Sequence, residues 1–172
     1  MSYGLAKIFQ NSNIPIIYHG TKISEVDKSG NLLAYVKSEA FVKDITKGKG
    51  IRISGDDKHF EKDVACYCLA KSVIARDITP FVLHLRDFEK ERDDPDSLMW
   101  DASVIVLPDF DNPHFSKNPL HEDTLQLLVT SGKTFIYTLS KNSNWWSEYI
   151  ISRLEKKTQE FIITMIETRL VR

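Results

Sequence analysis

A possible phosphate-binding loop lies in the stretch GIRISGDDKHFEKDVACYCLAK, residues 50 to 71, where a glycine and a charged loop join an apolar segment to a predicted helix. Such a junction commonly binds phosphate, because backbone N–H groups and the positive end of the helix dipole face the same point. Lys62 could add a cation for the phosphate oxygens. However, Asp56, Asp57 and Glu61 stand in the same loop and would repel an anion. The stretch therefore predicts the backbone of a phosphate site with unsuitable charges.

The bulk composition indicates one soluble, cytoplasmic domain. The chain has 172 residues, of which 42% are hydrophobic, and this is enough for one sizeable core. Its formal charge of −1 gives no general attraction to nucleic acid or membrane. Lys7 and Gln10 interrupt any apolar run near the N-terminus, so we expect no signal peptide. Cys66 and Cys68 are two apart on a predicted helix, where they cannot pair, and a reducing compartment is expected.

Strands and helices are predicted to alternate along most of the chain. Apolar spacing predicts a helix over 32–45, ended by the glycines at 48 and 50. Five apolar segments are then predicted as strands, at 51–54, 80–85, 103–109, 134–139 and 160–166. The segments between them predict helices at 59–76, from 87, at 121–131 and at 145–157. This alternation favours a five-stranded parallel sheet covered by helices on both faces, a three-layer αβα sandwich.

We predict two parts in the chain, an N-terminal lead-in segment over residues 1–30 and a single αβα domain over residues 31–172. In open parallel sheets, ligands bind at the carboxyl ends of the strands. The positions to inspect are therefore residues 55–62, 108–111 and 140–144. The five histidines show no ligand spacing, so no metal site is expected. No cofactor is predicted either.

The motifs at those positions, in this order, resemble the AAA+ domain of bacterial replicative-helicase loaders of the DnaC/DnaI type and of related transposition helper ATPases. GKGIRISG resembles the entry to the Walker A loop, VIVLPDFD the Walker B segment, and FIYTLSKNSN the sensor 1 segment. WWSEYIISRL resembles the helix that carries an arginine for the neighbouring subunit, and the likeness extends from about Ile14 to the C-terminus. The resemblance implies a P-loop NTPase fold of the AAA+ type.

The Walker A residues expected from this resemblance are missing. A working loop has the pattern G-x-x-x-x-G-K-[ST]. Counted from Gly55, the last three positions hold Phe60, Glu61 and Lys62. Glutamate in place of lysine replaces an attraction for phosphate by a repulsion of about 4 kcal/mol, for charges ~4 Å apart at an effective dielectric near 20. Sliding the motif to use Lys62 as the lysine puts Asp63 at the hydroxyl position and makes the loop one residue too long.

The Walker B segment departs from the pattern as well. Pro108 occupies the place of the metal-binding acid, and Asp109 follows at the second acidic position. Asp109 is more simply interpreted as a strand-end residue that caps nearby N–H groups. Ser140 matches the polar residue of sensor 1. We therefore predict a degenerate nucleotide site, whose remnant consists of Gly55, Glu61, Lys62 and Ser140, and no catalytic residue.

Other residues are candidates for partner contacts. The resemblance assigns Arg153 to a subunit interface, where it would reach the phosphate of a neighbouring ATPase, although an ordinary surface arginine is the simpler interpretation. Trp145 and Trp146 are adjacent on a predicted helix, so they cannot both face the core. One of them could contact a partner or stack on bases. Four cationic side chains could contact phosphate backbones: Lys47, Lys49, Arg52 and Lys141.

Three hypotheses follow from the sequence. The first is a non-catalytic AAA+-like accessory protein of DNA replication, whose partner is a replicative helicase, a helicase loader or another ATPase, with DNA contact as an option. The second is a divergent but active ATPase that uses Lys62 and Asp109. The third is a single-stranded nucleic-acid-binding subunit. The sequence leaves the oligomeric state open and predicts no membrane association.

Overall fold

The computed structural model describes residues 3–55, 59–110, 119–139, 146, 148–156 and 158–163, without the side chains of 55, 59–61, 119–120 and 158–163. Eight α-helices lie in these ranges: α1 (Tyr3–Asn11), α2 (Ile23–Val26), α3 (Asn31–Lys37), α4 (Glu39–Thr46), α5 (His59–Ile74), α6 (Phe88–Asp93), α7 (Pro119–Thr130) and α8 (Glu148–Glu155). Five strands accompany them: β1 (Gly50–Gly55), β2 (Pro80–Val82), β3 (Val104–Leu107), β4 (Thr134–Thr138) and β5 (Thr158–Ile163).

The strands form one parallel sheet in the order β2-β3-β4-β1-β5. The first strand of the chain therefore lies between the fourth and the fifth, and the segments predicted to bind ligands follow three adjacent strands, β3, β4 and β1. Gly50 begins β1 against the backbone of β4, where an added Cβ would stand 1.9 Å from the carbonyl oxygen of Phe135. Only glycine fits at this position without moving the backbone.

Alternate strand residues face two hydrophobic clusters, which gives the predicted layers. Ile51, Ile53 and Val106 contribute to one cluster, which contains buried residues of α1 to α5. Ile105 and Tyr137 contribute to the other, which contains buried residues of α6, α7 and α8. The period of two along each strand places successive side chains on opposite faces. The sheet is thus covered on both faces, as the alternating sequence pattern predicts.

The first thirty residues pack against the domain. Phe9, Ile14 and Val26 are buried in the same cluster as β1 and α5. The backbone N–H of Val82 donates to the carbonyl of Ser12 at 2.9 Å, so this segment also covers the edge strand β2. Covering an edge strand protects its free hydrogen-bonding groups from other chains. The division at residue 30 remains a proposal about the chain's organisation.

One predicted helix is two helices in the structure. The spacing predicted a continuous helix over 32–45, whereas α3 ends at Lys37 and α4 begins at Glu39. Ser38 between them is extended, with φ −79° and ψ 158°, and its hydroxyl donates to the carbonyl of Tyr35. Serine competes for the helix backbone in this way, which apolar spacing alone does not reveal. The glycine at 48, with φ 87°, follows the end of α4 as predicted.

Candidate functional site

The first turn of α5 lies beyond the carboxyl end of β1 and carries Lys62. The side chain of Lys62 is completely buried, with 0% of its surface exposed. Lys62 also makes at least one polar or electrostatic interaction inside the protein. An ammonium group enclosed in this way is not presented to an open cleft. The loop just before this turn, which contains Asp56 and Asp57, lies outside the described residues.

Asp109, at the Walker B position, is directed toward the neighbouring strand end. Its Oδ1 accepts a hydrogen bond from the backbone N–H of Leu85, which follows β2, at 3.2 Å. Burial raises the pKa of Asp109 to about 6, although the Leu85 hydrogen bond favours the charged form. The carboxyl group therefore serves as a local acceptor at the end of β3.

The raised pKa predicts how Asp109 affects stability at different pH values. Because the pKa in the folded protein lies above the value of about 3.9 in an unfolded chain, stability should fall as pH rises from about 4 to 6. Asp109→Asn keeps an acceptor for Leu85 and removes this penalty. Since Asp109 is partly exposed, we expect a gain of about 1–2 kcal/mol in unfolding free energy at pH 8 and almost none at pH 4.

Urea unfolding at both pH values measures this effect. Asp101→Asn, at an exposed position, serves as the matched control and should show no comparable pH-dependent gain. An equal change for Asp109→Asn at pH 4 and pH 8 would show that the Asp109 carboxylate is not destabilised by burial.

A buried polar pair at this edge of the sheet was not predicted. The hydroxyl of Tyr67, on α5, lies 2.8 Å from Nε2 of His84, which follows β2. Burial lowers the pKa of His84, so the imidazole is neutral and can accept the tyrosine proton. Burial, with Asp63 and Asp109 nearby, raises the pKa of Tyr67. His84 also stands at the carboxyl end of a strand, and inspecting that end for β2 as well would have found it.

The Tyr67–His84 pair, Asp109 and Lys62 have limited chemical capacity. Burial favours the neutral forms of His84 and Asp109, and the ammonium group of Lys62 is enclosed. Across the described ranges, no group of three or more His, Cys, Asp or Glu side chains is placed to hold a metal ion. The arrangement suits a hydrogen-bonded structural cluster better than phosphate transfer, which needs cations that face the phosphate.

Some predicted site residues cannot be located. Ser140, Lys141 and Trp145 lie outside the described residues. For Gly55 and Glu61 only the backbone is described, with Gly55 at the end of β1 paired with Ile163 of β5. Their assignment to a nucleotide-site remnant or to partner contacts stays a prediction.

Trp146 is half-buried and packs against Phe110. Its ring is stacked on Phe110, with centroids 4.5 Å apart and planes 8° apart. Its Nε1–H donates to the backbone carbonyl of Phe110 at 2.7 Å. One face and the polar edge of the indole are thus occupied by the protein, and base stacking or partner contact by Trp146 stays a prediction.

The predicted basic cluster is only partly available. Arg52 donates to Glu155 at 2.7 Å and to the carbonyl of Leu139 at 3.3 Å, so its charge is largely compensated. Lys47 and Lys49 are exposed. Arg52 therefore does not add to a free basic surface with them.

Arg153, the predicted interface arginine, lies on the exposed side of α8. Its guanidinium carbon stands 4.8 Å from the ring centroid of Tyr149, as in a cation–π contact. Arg153 and Lys47 line the same pocket, at the amino-terminal ends of the strands. The structure thus brings together two candidates that are more than one hundred positions apart in the sequence.

Comparisons with known proteins show which solved structures have a similar fold. No family model and no curated protein matches the sequence. Solved structures do match: the fold is α/β with a parallel sheet, similar to that of the DnaC helicase loader. In the described part of the chain, no helix is long and apolar enough to cross a membrane.

Three of the similar structures are a candidate primosome component, the DnaC helicase loader and DnaI. One is a candidate primosome component from Streptococcus pyogenes serotype M3, with a TM-score of 0.60 and 15% identity, covering 95% of this chain and 97% of that one. The DnaC helicase loader has a TM-score of 0.61 and 13% identity over 87% of this chain and 100% of its own. DnaI has a TM-score of 0.58 and 14% identity over 90% and 97%. The chain resembles a DnaC-like AAA+ domain, and at these identities the likeness concerns the fold.

Proposed function

We propose that this chain is a non-catalytic, AAA+-like accessory protein of DNA replication that acts in the cytoplasm through contacts with other proteins. The fold is that of proteins described as a helicase loader and a primosome component. The proposal assigns it a partner of the same system, a replicative helicase, a helicase loader or another ATPase. Contact with DNA is a secondary option.

The observation that carries this proposal is the complete burial of Lys62. A lysine that binds ATP must reach the β- and γ-phosphates with its ammonium group. Lys62 is enclosed and already interacts within the protein. ATP binding through Lys62 would require its internal interactions to be broken. The free energy of ATP binding would have to offset that loss. An enclosed lysine therefore favours a structural role over a catalytic one.

The Walker B position supports the same proposal. A metal-binding acid is replaced by Pro108, which is buried and whose carbonyl accepts a hydrogen bond from the Thr138 hydroxyl at 2.9 Å. Asp109 bonds to the backbone of Leu85. Neither residue supplies a free carboxylate pair for Mg²⁺ and water, which the second hypothesis, a divergent ATPase, would need.

Analytical ultracentrifugation tests the proposed partnership. The purified chain is mixed with the replicative helicase, and separately with the helicase loader, of the same organism, with and without ATP. We expect a complex with at least one of them, and any effect of ATP should disappear when the partner's own Walker A lysine is replaced. An ATP effect that persists with that variant would contradict the non-catalytic assignment. Failure to bind either protein or any other replication ATPase would contradict the replication role.

A further inference from the structure

A basic pocket opens at the amino-terminal ends of the parallel strands. P-loop proteins bind nucleotide at the opposite, carboxyl-terminal ends. The volume of the pocket is about 380 Å³, and it lies where α4, α7 and α8 end beside β1 and β4. Four cationic side chains line it: Lys47, Lys133, Arg153 and Lys156. No acidic side chain is among its lining residues. We call this the amino-edge pocket.

Among the described residues, most of this positive charge has no acidic partner. Within the residues that the structure describes, Lys47, Arg153 and Lys156 form no ion pair. Lys133 differs, since its ammonium group donates to the carbonyl oxygens of Trp100 and Ala102. Lys133 therefore forms a fixed wall of the pocket, while the other three cations can turn toward a ligand.

Helix ends explain part of this arrangement. Cations near a helix C-terminus stabilise it by about 0.3–1 kcal/mol, and three helices end here. That role accounts for single cations such as Lys47 after α4 and Lys156 after α8. It does not require the cations of three helices to surround one cavity with no acid in its lining. An anionic ligand accounts for that convergence.

The surroundings favour a single anionic group over a nucleic-acid strand. A strand carries a charge at every phosphate and needs a continuous basic track. Here Arg52 nearby is paired with Glu155. The adjoining pocket, which shares Lys133, is lined by Asp77 and Asp101. These acidic groups interrupt a continuous basic track on two sides of the amino-edge pocket, although Lys49 beside it is exposed.

The apolar parts of the pocket suit a protein ligand. Val129, Phe135 and Leu154 line it together with the cations. Tyr149 beside Arg153 is 45% exposed. Arginine beside an exposed tyrosine is typical of a protein-binding surface.

We propose that the amino-edge pocket binds a carboxylate side chain, Asp or Glu, in an acidic and apolar segment of a partner protein. The guanidinium of Arg153 and the ammonium groups of Lys47 and Lys156 bind the carboxylate, and Val129 and Leu154 contact the neighbouring apolar side chain. This inference rests on the proposed function only in taking the ligand to be a protein, since it does not require a particular replication partner.

Nuclear magnetic resonance with defined probes tests the pocket without any partner protein. The ¹⁵N-labelled chain is titrated with a short peptide that carries two glutamates between leucines, with the same peptide carrying glutamines, and with short oligothymidylate. We expect saturable shifts of the Gly48 and Gly132 amides with the glutamate peptide, and at least tenfold weaker binding of the glutamine peptide. Arg153→Glu and Lys156→Glu should each reduce affinity at least tenfold, whereas Lys37→Glu on α3 should not.

Three outcomes would overturn the proposal. Equal binding of the glutamate and glutamine peptides would show that charge is not recognised. Tighter binding of oligothymidylate, lost with Arg153→Glu, would make the pocket a nucleic-acid site. Absence of shifts at millimolar glutamate peptide would show that the pocket takes no carboxylate. These results are independent of the helicase and loader mixing experiment, so failure of one proposal is distinguishable from failure of the other.

Discussion

Trp146→Ala is expected to lower the free energy of unfolding by about 3–4 kcal/mol, which is typical of removing a large, packed aromatic side chain. The change removes the stack on Phe110 and the 2.7 Å hydrogen bond from Nε1 to the Phe110 carbonyl. It also opens a void beside Phe88, whose ring centroid lies 6.4 Å from that of Trp146. Chemical denaturation monitored by far-ultraviolet circular dichroism measures the loss.

Two variants separate packing from surface effects. Trp146→Phe keeps an aromatic ring against Phe110 and loses the hydrogen bond, so it should cost about 1–2 kcal/mol. Leu127→Ala, at an exposed position, should change stability by less than about 0.5 kcal/mol. A Trp146→Ala variant that keeps wild-type stability and loses affinity for single-stranded DNA would restore the third hypothesis, in which this tryptophan stacks on bases.

The strands and their order along the chain were predictable, because most of them are apolar runs bounded by charged segments. Val104–Leu107 and Thr134–Thr138 are buried throughout, as an apolar run bounded by charged segments predicts. The placement of the candidate segments at one edge followed from parallel strands alone. The order of the strands in the sheet did not follow, because pairing between β1 and β4 depends on contacts more than eighty residues apart.

The side-chain pairings that define the candidate site were beyond the sequence pattern. Arg52 and Glu155 are 103 positions apart, and nothing in their own segments indicates that the arginine is compensated. The stack of Trp146 on Phe110 spans 36 positions. Adjacent tryptophans predicted that one would be buried, but not which one.

The amino-edge pocket shows the same limit. Lys47, Lys133, Arg153 and Lys156 come from three separate helix ends, and only the fold brings them to one cavity. The sequence singled out Lys47 for a basic run and Arg153 for a motif. Lys133 and Lys156 lacked any local signal, since isolated lysines near helix ends are common.

The largest functional effect expected is the absence of nucleotide binding. Walker A proteins bind ATP through a lysine and backbone N–H groups that face the phosphates. Here Lys62 is enclosed, and Glu61 stands at the position of the lysine in the motif counted from Gly55. A shift from micromolar to weaker than millimolar affinity corresponds to about 4 kcal/mol, which is the scale of replacing one close attraction by a repulsion.

Isothermal calorimetry with ATP and with ADP, each with and without Mg²⁺, measures nucleotide binding. We expect no heat of binding at millimolar nucleotide, for the chain itself and equally for Lys62→Ala. Micromolar binding of ATP to the chain that is abolished in Lys62→Ala would make the protein a divergent ATPase that uses Lys62.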